Sequence, residues 1–139
     1  MNIGIDLDGV LTNFNEFCMS YGTKYASEIG KGKIINSKGY ESIEIFSWDR
    51  QTDIKFWEKY NLHYAVEEKP RPFAKEVLDK LKADGHKIYI ITARASEFED
   101  IEAQSKMQDM VRNWFKSNEL YYDELIFSTV NKLENCRAN

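Results

Sequence analysis

The run KIYIIT, residues 87 to 92, constrains the fold more than any other stretch. Its apolar residues occupy both phases of a strand's alternation, so both faces need cover, as in an interior strand of a parallel sheet. Before it, FAKEVLDKLKADGHK reads as an amphipathic helix through Phe73, Val77, Leu78 and Leu81, with Gly85 at the C-cap. After it, the acidic loop ASEFEDIE leads to a helix from about Ser105 to Ser117, with Met107, Met110, Val111, Trp114 and Phe115 on its inner face. ELIFS, residues 124 to 128, is the next strand, and NIGIDL, residues 2 to 7, is the first. Strand, helix, strand, helix, strand with short loops predicts βαβ crossovers and an α/β fold with a parallel sheet of about three strands.

Between the first strand and the first of these helices lies a long insertion. Thr12 to Ile29 predicts a helix with Phe14, Phe17, Cys18, Tyr21, Tyr25 and Ile29 on one stripe. Gly22 weakens it, and Asn13 with Glu16 resembles a capping pair. GKGKIINSKGYESIEIFSWDR reads as loop with a small hairpin or helical turn, and Thr52 to Tyr60 as a helix carrying Ile54, Trp57 and Tyr60 on one side. Pro70 and Pro72 then break regular structure. The expected division is a core of residues 1–11 and 72–139 with a mainly helical insertion, 12–71.

A formal charge of −4 in 139 residues argues against a partner such as a nucleic acid polymer, which would ask for a basic face. Cys18 and Cys136 have no disulfide or zinc spacing, and no apolar run is long enough to span a bilayer. The expectation is a cytoplasmic protein with no membrane partner.

In parallel α/β sheets, ligands gather outside the carboxyl ends of the strands. Here those ends carry Asp6 and Asp8, then Thr92, Ala93 and Arg94, then Ser128, with Lys132 shortly beyond. Two carboxylates one residue apart repel each other unless a cation, a proton or a ligand compensates. With a phosphorylated substrate there, Asp6 can attack phosphorus, and Asp8 can protonate the leaving oxygen and later deprotonate water. Mg²⁺ would screen the charges, Thr92 and the N–H groups of Ala93 and Arg94 would hold phosphoryl oxygens, and Lys132 would stabilise developing charge. Each residue has a plainer alternative. Aspartates favour turns, Thr92 could cap a helix, Lys132 could be a surface lysine, and Arg94 could reach substrate or pair with the acidic run Glu97 to Glu102. A signalling receiver domain also gathers aspartates, a threonine and a lysine, but has no place for the 12–71 insertion.

IDLDGVL, IITAR and Lys132 after LIFS resemble, in order, the first three motifs of the haloacid dehalogenase superfamily of aspartate-nucleophile phosphatases. IDLDGVLTNF, FSW, FWEKY, PRPFAKEVLDKLKADGHKIYIITAR and YYDELIFS look most like bacterial relatives of the 5'(3')-deoxyribonucleotidases. The resemblance implies a Rossmann-like three-layer core, a helical cap formed by residues 12–71, and a small phosphorylated substrate, a (deoxy)nucleoside monophosphate. It implies that Asp6 is the nucleophile and Asp8 the general acid–base, with Asp6 and the Asp8 main-chain carbonyl holding Mg²⁺. Phe14 falls where such nucleotidases place a base-contacting aromatic, and it also opens the apolar stripe of the first insertion helix. Members of that superfamily continue to a fourth strand ending in acidic residues, whereas this sequence stops at ENCRAN. The expectations are therefore a first strand with a bare edge through which copies could associate, and weak or absent turnover by the 139-residue form. The alternative is a non-catalytic phosphate- or partner-binding remnant.

Overall fold

The computed structural model describes residues 1–95 and 98–128, and the chain divides into two compact units. The first comprises Met1–Thr12 and the described residues from Lys69 onward; the second is Asn13–Glu68.

The first unit is an α/β assembly around a three-stranded parallel sheet in the order β1-β2-β3. β1 is Asn2–Asp6, β2 is Lys87–Thr92 and β3 is Glu124–Phe127. The central place falls to KIYIIT, as its continuous apolar character requires. Register pairs Ile3 with Ile88, Ile5 with Ile90, Ile90 with Leu125, and Thr92 with Phe127, so alternation brings these side chains to one face. Ile88 and Ile90 on that face are fully buried. No strand among the described residues pairs with the other edge of β1.

Two of the helices among the described residues belong to this unit. The helices of the second unit are α1 (Phe14–Ile29), α2 (Ser42–Ile45) and α3 (Arg50–Glu67), and those of the first are α4 (Ala74–Ala83) and α5 (Ile101–Ser117). α4 buries Ala74 and Leu78, but Phe73 and Val77, expected on its inner stripe, are exposed. Phe73 precedes the helix at the N-cap with φ 70, which turns its side chain out of the helical series. α5 starts earlier than its apolar stripe predicts, because Asp100 accepts from the N–H groups of Glu102 and Ala103 and so caps a helix at Ile101. Met107, Val111, Trp114 and Phe115 are buried, and the Arg112 guanidinium lies 5.5 Å over the Phe127 ring. Asp123 staples the entry to β3. Its N–H donates to the Ile88 carbonyl at 2.8 Å, while Oδ2 accepts from the Ile88 N–H at 2.7 Å.

In the second unit, Asn13 caps α1 by accepting from the Glu16 N–H at 3.1 Å, and its amide donates to the Glu16 carboxylate. α3 runs well past the expected Tyr60 and buries Thr52, Phe56, Tyr60, Tyr64 and Ala65, whereas Ile54 is exposed. Asp53 anchors the aromatic core: its Oδ1 accepts from Ser42 Oγ at 2.6 Å and Trp48 Nε1 at 3.0 Å, and Trp57 Nε1 donates to Ser42 Oγ. Burial pushes the Cys18 thiol up to about 12, with the Asp53, Glu41 and Glu68 charges adding to the rise. Gly22 is explained by close approach, since a Cβ there would lie 2.2 Å from Phe46 Cε2.

Two outcomes follow from this packing. Gly22→Ala forces the buried Phe46 ring aside and lowers stability by about 1–3 kcal/mol, read from urea unfolding. The Tyr121 hydroxyl, followed by the Ile88 N–H, holds the Asp123 carboxyl below its ordinary range. A group lowered in the folded state contributes stability that is complete above its unfolded value of about 3.9 and is lost as pH falls through the folded value. Asp123→Asn therefore lowers the urea midpoint at neutral pH and narrows its loss between neutral and strongly acid solution.

Candidate active site

β1 ends at Asp6, and the chain turns sharply after Leu7. The Leu7 carbonyl accepts from the N–H groups of Val10, Leu11 and Thr12 at 3.3, 3.0 and 3.2 Å, with Gly9 at φ 81 supplying the left-handed residue the turn needs. Thr12, fully buried, receives the Gly9 N–H on Oγ1 at 3.3 Å. Asp6 Oδ1 accepts from the Leu7 N–H at 2.7 Å. Short polar contacts thus fix the carboxylate loop against its own backbone.

The next strand end carries Thr92, fully buried, whose Oγ1 accepts from the Arg94 N–H at 3.1 Å. Asp6 pairs in register with Ile91, so Thr92 lies one step beyond it on the neighbouring strand. Ser128 N–H donates to the Thr92 carbonyl at 2.8 Å, tying the end of β3 to the same edge. The exposed Ala93 joins Thr92 to Arg94.

Arg94 makes the decisive link. Its Nε and Nη2 both donate to Asp8 Oδ1, at 2.9 and 2.6 Å, with the arginine side chain 7% exposed and the aspartate 26%. The sequence offers a substrate or the acidic run as partners for Arg94, and the structure adds Asp8. The pair sets a buried cation against one of the two aspartates, which relieves part of the repulsion posed by Asp6 and Asp8.

Arg71 and Thr12 are contributors that sequence reasoning missed. Arg71 Nη2 donates to the Gly9 carbonyl at 3.0 Å and its N–H to the Leu11 carbonyl at 2.7 Å, clamping the carboxylate loop to the start of α4. Thr12 and Pro70 form an isolated antiparallel bridge, so Thr12 and the residues from Lys69 belong to the sheet unit although 12–71 was the expected insertion. The flanking Pro70 and Pro72 were the available signal, since they fix the extended entry on which such a clamp depends.

Asp6, Asp8, Thr92, Ala93 and Arg94 therefore share the carboxyl edge of the sheet. Phe14 belongs to the helical unit, where it stacks on Trp57 at 5.6 Å and 6° and meets Tyr64 edge-on. Lys132 lies outside the described residues. No group of three or more histidine, cysteine, aspartate or glutamate side chains converges as a metal cluster among the described residues. Asp6 and Asp8 stand one residue apart at this edge, and carboxylate oxygen is the donor type that hard cations prefer.

Asp8→Ala removes the acceptor of two Arg94 donors from a largely buried site. It lowers stability by about 1–3 kcal/mol, and Asp6→Ala lowers it by less, both measured by urea unfolding.

Comparison with known proteins adds one likeness. A Bacillus cereus protein named "Putative nucleotidase" is 29% identical over 99 residues, a match covering 70% of this chain and 52% of the relative. The chain thus matches about half the length of that protein, and the likeness suggests a nucleotidase-like relationship. No protein-family model matches the sequence, and no solved structure matches significantly.

Proposed function

We propose that the chain is a Mg²⁺-dependent phosphomonoesterase of the haloacid dehalogenase type, acting on a (deoxy)nucleoside monophosphate. The observation that carries this reading is the meeting of Asp6, Asp8 and Thr92 at one sheet edge, with Arg94 holding Asp8. The nucleotidase relative supports the substrate class.

Asp6 is the nucleophile. Its carboxylate attacks phosphorus, the ester P–O bond breaks, and the leaving oxygen takes a proton from Asp8. Water then attacks the aspartyl-phosphate, giving its proton to Asp8 and releasing inorganic phosphate with Asp6 restored. Arg94 holds Asp8 Oδ1 and so orients the carboxyl group that carries these protons. The Thr92 hydroxyl and the Ala93 N–H orient the phosphoryl oxygens, the Arg94 N–H being engaged by Thr92 Oγ1, and Lys132 is assigned the stabilisation of their charge. Asp6 and the Asp8 main-chain carbonyl would hold Mg²⁺, which supplies charge neutralisation between carboxylate and phosphate. The helical unit, Asn13–Glu68, acts in this reading as a cap.

The purified chain should release phosphate from nucleoside monophosphates in a Mg²⁺-dependent manner, even if slowly. Asp6→Asn abolishes release, and Asp8→Asn reduces it by about 10²–10⁴-fold. Beryllium fluoride binding lost in Asp6→Asn, together with no turnover by the native chain, would instead identify a phosphate-binding remnant. Turnover that persists undiminished in Asp6→Asn would overturn the aspartyl-phosphate route.

A further inference from the structure

The turn that opens α4 places an aromatic residue where glycine fits best. The Arg71 carbonyl accepts from the Ala74 N–H at 3.1 Å, with Pro72 and Phe73 at the centre of the turn. Phe73 has φ 70 and ψ 1, the angles of the second central position in a type II turn. Glycine adopts them freely, whereas a residue with a Cβ is strained there. Packing does not compensate, because Phe73 is 73% exposed. A strained backbone and a wetted aromatic ring at one residue are two costs without a structural return, a combination that points to use by a ligand.

The turn's position indicates which ligand. Arg71, two residues before Phe73, holds the Gly9 and Leu11 carbonyls of the carboxylate loop. That loop also exposes Val10, at 51%. One clamp therefore tethers two exposed apolar side chains, Phe73 and Val10, to the loop that presents Asp6 and Asp8. The polar edge suits the phosphate, and an aromatic ring at the rim suits a flat, weakly polar leaving group, since aromatic side chains stack on any nucleobase.

Resting on the phosphomonoesterase reading above, we infer that Phe73 is a specificity-determining residue. Its ring stacks against the leaving group of the phosphate ester and favours a nucleoside over an aliphatic alcohol. Because stacking tolerates every base, the preference is for a base over none rather than for one base. Specificity would then reside partly in the sheet unit and not only in the helical insertion.

The test compares the native chain with Phe73→Gly, Phe73→Ala and Phe73→Tyr, using a deoxynucleoside monophosphate and glycerol phosphate as paired substrates. Loss of the ring should lower kcat/KM for the nucleotide roughly 10-fold more than for glycerol phosphate, mainly through KM, and Phe73→Tyr should keep the native ratio. Phe73→Gly should also raise the urea midpoint by relieving the left-handed strain, so a loss of preference in this variant cannot be ascribed to unfolding. An unchanged substrate ratio in a stable Phe73→Gly protein overturns the inference and leaves the phosphatase reading intact. If the native chain neither hydrolyses nor, by calorimetry, binds either ester, the phosphatase reading falls and the inference falls with it.

Discussion

The geometry of the carboxylate edge depends on one ion pair. A guanidinium taken out of water is costly unless anions and hydrogen bonds surround it, and Arg94 is almost wholly buried with two donors on Asp8 Oδ1. The pair joins the loop after β1 to the loop after β2, two segments far apart in sequence whose strands already lie in register. Thr92 completes the arrangement by accepting the Arg94 N–H, so one residue's main chain and side chain are fixed from adjacent strands. A hydroxyl, a guanidinium and a carboxylate are thereby placed by mutual contact on a sheet edge where two acids alone would repel.

The helical unit solves a related problem with aromatic material. Its core stacks Phe46 on Trp48 at 4.4 Å and surrounds them with Tyr25, Phe56 and Tyr60. Indole N–H groups in such a core need acceptors, and Asp53 with Ser42 supplies them to Trp48 and Trp57. The short α2 presents Ser42 to this network. A four-residue helix of this kind has little intrinsic stability, and tertiary hydrogen bonds hold it.

Much of the sheet unit was legible because strands buried on both faces leave a strong mark. KIYIIT matched β2 at both ends, and the carboxyl-end rule brought Asp6, Asp8 and Thr92 to one edge. Helix phase was harder to read. In α3, apolar and aromatic residues fall on several sides, so Ile54 and Phe56 competed for the inner face and packing chose Phe56. In α4, the stripe through Phe73 failed because a positive φ at the N-cap broke the helical series, and backbone angle is not written in hydropathy. The choice of Asp8 by Arg94 is a long-range pairing, which no local pattern encodes.

The turn after β1 has a consequence for how the protein can change over generations. Three N–H groups converge on the Leu7 carbonyl, and Thr12 and Arg71 secure Gly9 from either side. The path of the loop is therefore written in main-chain bonds and in residues other than Val10, whose side chain faces solvent. Position 10 can drift through a range of side chains while the two aspartates stay where they are. A lineage can explore new chemistry at the lip of the sheet without first surrendering the machinery beneath it.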